Sequence, residues 1–165
     1  MMSEAETERE ALMEQCRVVE RMHAVYTVEA YWREEVLYCL YTEDSLLPGD
    51  VEDFFATALT RLGVGDRPVI AFDVPDESDQ AGYVDGDTIH LHPRMLERET
   101  LLHELAHWLT HDGHTEGWAE IYVALVRGEF GDEAADRLDE VLRIATAPDR
   151  MEYTMAQLRG DFSSY

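Results

Sequence analysis

Apolar residues recur at helical spacing through the first quarter of the chain, at Leu12, Cys16, Val19, Met22 and Tyr26 and then at Trp32, Val36 and Leu40. That spacing predicts one long helix over residues 5–42, or two joined near Thr27. The stretch Ser45-Leu46-Leu47-Pro48-Gly49 breaks the pattern. Asp50 then caps a second helix carrying Phe54, Phe55, Ala58, Leu59 and Leu62, which Gly63 stops. Pro68 to Phe72 is short, branched and bounded by turn residues, so it reads as a strand. Tyr83 to His92 gives two β-like segments around Asp85-Gly86, a pair that favours a tight hairpin turn. Pro93 fits the first turn of a helix with Leu96, Leu101, Leu102, Leu105, Ala106 and Leu109 on its apolar face, ended by Gly113. Two more helices follow, over roughly 115–127 and 132–145, the second striped by Ala134, Ala135, Leu138, Val141 and Leu142. Pro148 closes the patterned region, and residues 149–165 hold at most one short helix before fraying.

These elements make an α+β fold, mostly helical, with a small antiparallel sheet or hairpin before the helix of residues 93–113. A length of 165 residues suits one domain, and 45% hydrophobic residues can fill its core. We read a helical part at 1–45, a catalytic core at 50–147 and a tail at 148–165. The balance of 36 acidic against 13 basic residues leaves a net charge of -23, which excludes a basic surface that tracks phosphates. Nucleic acid is therefore not expected as a direct ligand. All 13 cations are arginine, which together with the acidity points to a high-GC source or to a salt-adapted, halophilic one. No apolar run approaches the roughly 18–20 residues of a membrane helix, and the acidic start lacks the features of a secretory signal, so a cytoplasmic protein is expected. Cys16 and Cys39, 23 positions apart in one helix, are too distant to bridge and read as reduced thiols.

The chemistry concentrates in His103-Glu104-Leu105-Ala106-His107. Two imidazoles four residues apart lie about 6 Å apart along one helix face, where both can reach one metal with Glu104 beside it. With 7 His in the chain, chance gives about 0.04 such patterns, so the apolar frame and the residues that follow must add weight. A catalytic zinc, Zn2+, needs three protein ligands and an open position for water. His111 lies about 12 Å along the axis from His103, too far to join the pair, and suits the helix C-terminal dipole instead. His114 follows Gly113, where the chain can turn back, and is favoured as third ligand; Glu116 and Glu120 remain alternatives because carboxylate-ligand zinc peptidases also draw on the following helix.

From His103 to Leu142 the chain resembles the SprT-like zincins, zinc metallohydrolases of actinobacteria and their phages. The features are Leu-His-Glu-Leu-Ala-His, then His114, Trp118, Ile121 to Arg127, Gly131 and Glu133-Ala134-Ala135. The resemblance implies a zincin-like fold, with His103, His107 and His114 as zinc ligands and Glu104 as catalytic base. It departs from the family's His-Gly-Pro-Glu-Phe by reading His114-Thr115-Glu116-Gly117-Trp118, and Glu116-Gly117-Trp118-Ala119-Glu120 is similar to the carboxylate-ligand zincins.

The expected activity is hydrolysis of a peptide or amide bond in a peptide or protein substrate, Glu104 moving the proton. Tyr122, His111 and Tyr83 are candidates for steadying the oxyanion, and spacing selects none of them. The strand Thr88 to His92, if a sheet edge, can pair with an extended substrate. His90 reads as a hairpin residue, His92 beside Pro93 as a helix-entry residue, His23 as surface, and Trp32, Phe54, Phe55, Trp108 and Trp118 as core. Asp112 either orients a ligand histidine or caps the next helix. Two other readings compete: an acidic interaction protein mimicking nucleic acid, and a structural zinc site with four ligands such as His103, His107, His114 and Glu116.

Overall fold

The computed structural model describes residues 3–41 and 45–146. The expectations for 148–165 fall outside the described residues. Helix α1 runs from Glu4 to Trp32, started by a capping box in which Ser3 and Glu6 each bond the other's backbone N–H. A π-helical turn, Arg33–Leu37, passes it into the short helix α2, Tyr38–Leu40. The helix is thus continuous through Thr27, but its apolar stripe is not all core. Leu12 is 62% exposed and Val19 47%, while Ala24, Val25, Glu29 and Trp32 carry the burial. The first four turns form an acidic arm; only the second half of α1 joins the core.

A 3-10 turn, Pro48–Asp50, leads into α3, Val51–Arg61, whose Phe55, Ala58 and Leu59 are buried. The sheet has three strands in the order β1-β3-β2, with β1 at Val69–Ala71, β2 at Gly82–Asp85 and β3 at Thr88–Leu91. β2 and β3 form the expected hairpin, Val84 opposite Ile89, and Gly86 takes a positive φ in its turn. The purely antiparallel sheet is corrected: β1 runs parallel to β3, Ile70 opposite Ile89. Parallel pairing needs a crossover, here the loop after β1, and a distant pairing of this kind has no local signature. The expected edge role of Thr88 to His92 is corrected with it, because β3 is central and both of its ladders are taken.

Helix α4, Arg98–Thr110, begins five residues after Pro93. The intervening backbone is engaged elsewhere: Met95 N–H donates to the His92 carbonyl, Leu46 N–H to the Leu96 carbonyl, and Glu97 bridges Ser45. Its end is also corrected. His111, not Gly113, takes the left-handed cap conformation, at φ 56° and ψ 23°. Helices α5, Glu116–Phe130, and α6, Asp132–Thr146, follow with Gly131 between them at φ 92°.

One core unites these pieces. Leu101, Leu102, Leu105 and Ala106 of α4 are fully buried against Trp118, Tyr122 and Val126 of α5, Ala134, Ala135 and Leu138 of α6, and Trp32 of α1. Trp32 Nε1 donates to the Ala134 carbonyl at 2.8 Å, which pins α1 to α6. Among the described residues no helix is long and apolar enough to cross a membrane, and Cys16 and Cys39 are free and exposed.

Trp32→Ala should therefore lower stability by about 3–5 kcal/mol in urea unfolding. Deleting residues 3–16 should leave the midpoint nearly unchanged, because that arm buries nothing.

Candidate metal centre

Helix α4 is enclosed on nearly every face, with no exposed residue between Arg98 and Thr110, so its central polar residues are carried inside with its leucines: His103 is 4% exposed and Glu104 7%. His107, one turn on, reaches the rim. The left-handed residue His111 then reverses the chain. Its N–H still donates to the His107 carbonyl at 2.8 Å, and the following carbonyl, that of Asp112, turns back to accept from His107 Nδ1 at 2.8 Å. The Asp112 side chain meanwhile accepts from Thr115 Oγ1 at 3.2 Å, and Thr115 is the N-cap of α5, accepting from Trp118 N–H. Asp112 thus orients His107 through its main chain, while the cap of α5 itself is Thr115, whose hydroxyl the Asp112 side chain holds.

That turn sets His114 against the other two imidazoles. The Nε2 atoms of His107 and His103 are 3.2 Å apart and those of His114 and His103 3.4 Å. One nitrogen from each of the three lies within 4.8 Å of the others, a cluster able to hold a metal ion. Glu116 and Glu120 do not belong to this cluster; both are exposed and act electrostatically on Arg143 of α6. Trp118, fully buried, floors the site: its ring stacks on His107 with centroids 4.9 Å apart, and its Nε1 donates to the His103 carbonyl.

Protonation is dictated by the partners. The Asp112 carbonyl only accepts, so His107 Nδ1 carries its hydrogen and Nε2 is a bare lone pair. His103 Nδ1 donates at 2.9 Å to Glu29 Oε2. Burial alone would raise the Glu29 carboxyl, but His103, Arg33 and Tyr122 hold it down at about 2, so it is an ionised acceptor. Burial, then the charge of His103, depresses His107 to about 4 and His114 to about 3, leaving both neutral near pH 7 as metal ligation requires. Burial raises Glu104, with Glu29 adding to it. Glu104 Oε1 is 3.9 Å from His103 Nε2, and Glu104 Oε2 is buried without a hydrogen-bond partner.

The site opens on two clefts that share Tyr26, Gln80, Gly82 and Glu104. One, of about 450 Å³, extends along Tyr83, Val84 and His107; the other, of about 590 Å³, extends along Met22, Arg33 and Ala81. β2 approaches so closely that a Cβ on Gly82 would meet the His90 carbonyl at 2.7 Å and Glu104 Cγ at 3.4 Å.

The three oxyanion candidates separate. Tyr122 is buried and donates to Glu29; Tyr83 stacks on His90, centroids 4.5 Å apart; His111 is exposed on the cleft wall. His90 itself binds Asp73 at 2.8 Å, and His92 accepts from Arg94 N–H, so neither joins the site. Two residues of α1 were missed. Tyr26 lies edge-on to His114, centroids 5.6 Å apart, its phenol raised by burial and then by Glu104 and Glu29, so it stays an O–H donor. Glu29 is the other. Its signal was present in the chain: a carboxylate four residues after Val25 and three before Trp32 sits where the helical period demands an apolar side chain.

No known family, no curated protein and no solved structure matches this chain.

His114→Ala should abolish stoichiometric metal binding while Glu116→Ala, Glu120→Ala and His111→Ala retain it, measured as metal content after purification without chelator.

Proposed function

We propose that this chain is a zinc metallohydrolase of zincin-like, SprT-like kind, acting as a peptidase. The observation that carries the proposal is the convergence of three imidazole Nε2 atoms beside an unpartnered carboxylate oxygen. The Nε2 atoms of His103 and His107 face each other at 3.2 Å, so a proton or a metal cation must lie between them. A proton can join two nitrogens; the third, on His114, favours an ion. A tetrahedral zinc with bonds of about 2.0–2.1 Å has N···N edges of about 3.3–3.4 Å, in keeping with the 3.2 and 3.4 Å separations here. No fourth protein donor joins the cluster among the described residues, which favours a catalytic centre over a structural one.

Zinc held by His103, His107 and His114 would supply Lewis acidity and bring the pKa of a coordinated water toward about 7. Glu104 is placed to receive the proton: its Oε2 has no other partner, and burial has raised its basicity. Returning that proton to the departing amine completes hydrolysis of an amide. Trp118 and the apolar face of α4 exclude water from the floor, which strengthens each electrostatic contact. For the substrate, β2 is the sheet edge that lines the cleft, at Gly82, Tyr83 and Val84, and among the described residues it pairs with β3 alone. An extended peptide added along this edge would run past Glu104.

Glu104→Gln should keep about one zinc per chain and lose about 10²–10⁴-fold in turnover on a peptide mixture read by mass spectrometry. An unmetallated native protein, or undiminished hydrolysis by the variant, overturns the proposal; an acidic binding protein would be indifferent to this change.

A further inference from the structure

Glu29 sits on the first helix, 74 residues before His103, and is 3% exposed in the middle of the core. A buried carboxylate of this kind is costly unless charges and donors surround it, so its partners indicate what it is for. Oε2 accepts from His103 Nδ1 at 2.9 Å and from the Tyr122 hydroxyl. Oε1 faces the Arg33 guanidinium at 3.4 Å. Arg33 is shared: its Nε lies 3.5 Å from Glu99 Oε1, which also accepts from the Tyr38 hydroxyl at 2.7 Å. One arginine therefore stands between two buried acids, and it cannot neutralise both. The remaining negative charge adjoins His103, whose other nitrogen points into the metal cluster.

Resting on the zinc reading above, we infer that Glu29 is the positioning residue of the metal centre. Its carboxylate keeps the hydrogen of His103 on Nδ1, turns Nε2 to the ion, and offsets the ion's charge through the ring. Tyr122 and Arg33 in turn fix the carboxylate, leaving it little freedom to swing away. The α1 helix is then part of the metal centre, although it supplies no ligand. An ordinary packing role would be served as well by an apolar side chain of similar size, and would leave metal affinity unchanged once the protein is folded.

The test is zinc affinity by competition with a chromophoric chelator, together with the visible spectrum of the cobalt-substituted protein. It is applied to the native chain, Glu29→Gln, Glu29→Asp and Tyr122→Phe. Glu29→Gln should bind zinc about 10–100-fold more weakly and shift the cobalt absorption, because the His103 ring loses its anionic acceptor. Glu29→Asp, which keeps the charge, should recover part of the loss. Tyr122→Phe, which frees one side of the carboxylate, should weaken binding in the same direction by less, and it carries the test if Glu29→Gln does not fold. Native-like affinity and an unchanged cobalt spectrum in folded Glu29→Gln, or in Tyr122→Phe where only that variant folds, overturn the inference and leave the zinc reading standing. Absence of zinc binding by the native chain removes both.

Discussion

The buried pair of His103 and Glu29 is the constraint on which the rest of the structure depends. Each is at least 95% shielded from water, and taking the Glu29 carboxylate or the His103 N–H out of water costs several kcal/mol unless it is matched. Their 2.9 Å hydrogen bond meets that demand for both, but only if α1 and α4 lie side by side at that point. The leucines of α4, Trp32 of α1 and the small residues Ala134 and Ala135 of α6 supply the apolar packing that holds them there. Apolar packing alone would tolerate sliding by a turn. The hydrogen bond would not, since a shift of one helical turn, about 5.4 Å, leaves an uncompensated carboxylate and an unpaired imidazole N–H in the core. Core and site are thus specified together, the leucines giving the cohesion and Glu29 the register.

The same logic operates on a smaller scale in the turn from α4 to α5. Six residues lie between His107 and His114, too many for adjacent helical turns and too few for an unrelated loop. One left-handed residue, His111, closes the gap by reversing the chain within the last turn of α4. The backbone then satisfies two needs at once: the Asp112 carbonyl orients His107, and the Asp112 side chain reinforces the cap of α5, which opens directly after His114. Trp118 completes the arrangement from the first turn of α5, contacting all three imidazoles at centroid distances of 4.8 to 4.9 Å.

Much of this was legible in the sequence, for identifiable reasons. The helices around Phe55, Trp118 and Leu138 have apolar periods with stops at Gly63 and Gly131, and the hairpin has its Asp-Gly turn; these are local signals. His103, Glu104 and His107 are four residues apart at most, so helix geometry alone brings them together. His114 was legible because Gly113 suggested a reversal, although the reversal itself falls on His111. What escaped was nonlocal. The parallel pairing of β1 with β3 spans a loop without periodicity. The start of α4 is displaced from Pro93 by backbone pairing with Ser45 and Leu46, which lie far back along the chain, before α3. Glu29 looked like one more acid on an acidic helix, because a single carboxylate on an apolar stripe has meaning only when its partner is known.

The two acids at the heart of the site have opposite fates, and the contrast argues for chemistry over mere metal storage. Glu29 is saturated: its oxygens face an imidazole, a phenol and a guanidinium. Glu104 is buried almost as deeply and has next to nothing: Oε2 has no hydrogen-bond partner among the described residues, and Oε1 lies 3.9 Å from His103 Nε2. A fold that surrounds one carboxylate so fully has the means to surround the other. Leaving a buried acceptor open costs about 1–3 kcal/mol, and a centre that only stored or braced a metal would gain nothing from it. A hydrolase gains its base. Glu104 lines both clefts, beside β2 and Tyr26, so either route leads to the same carboxyl group.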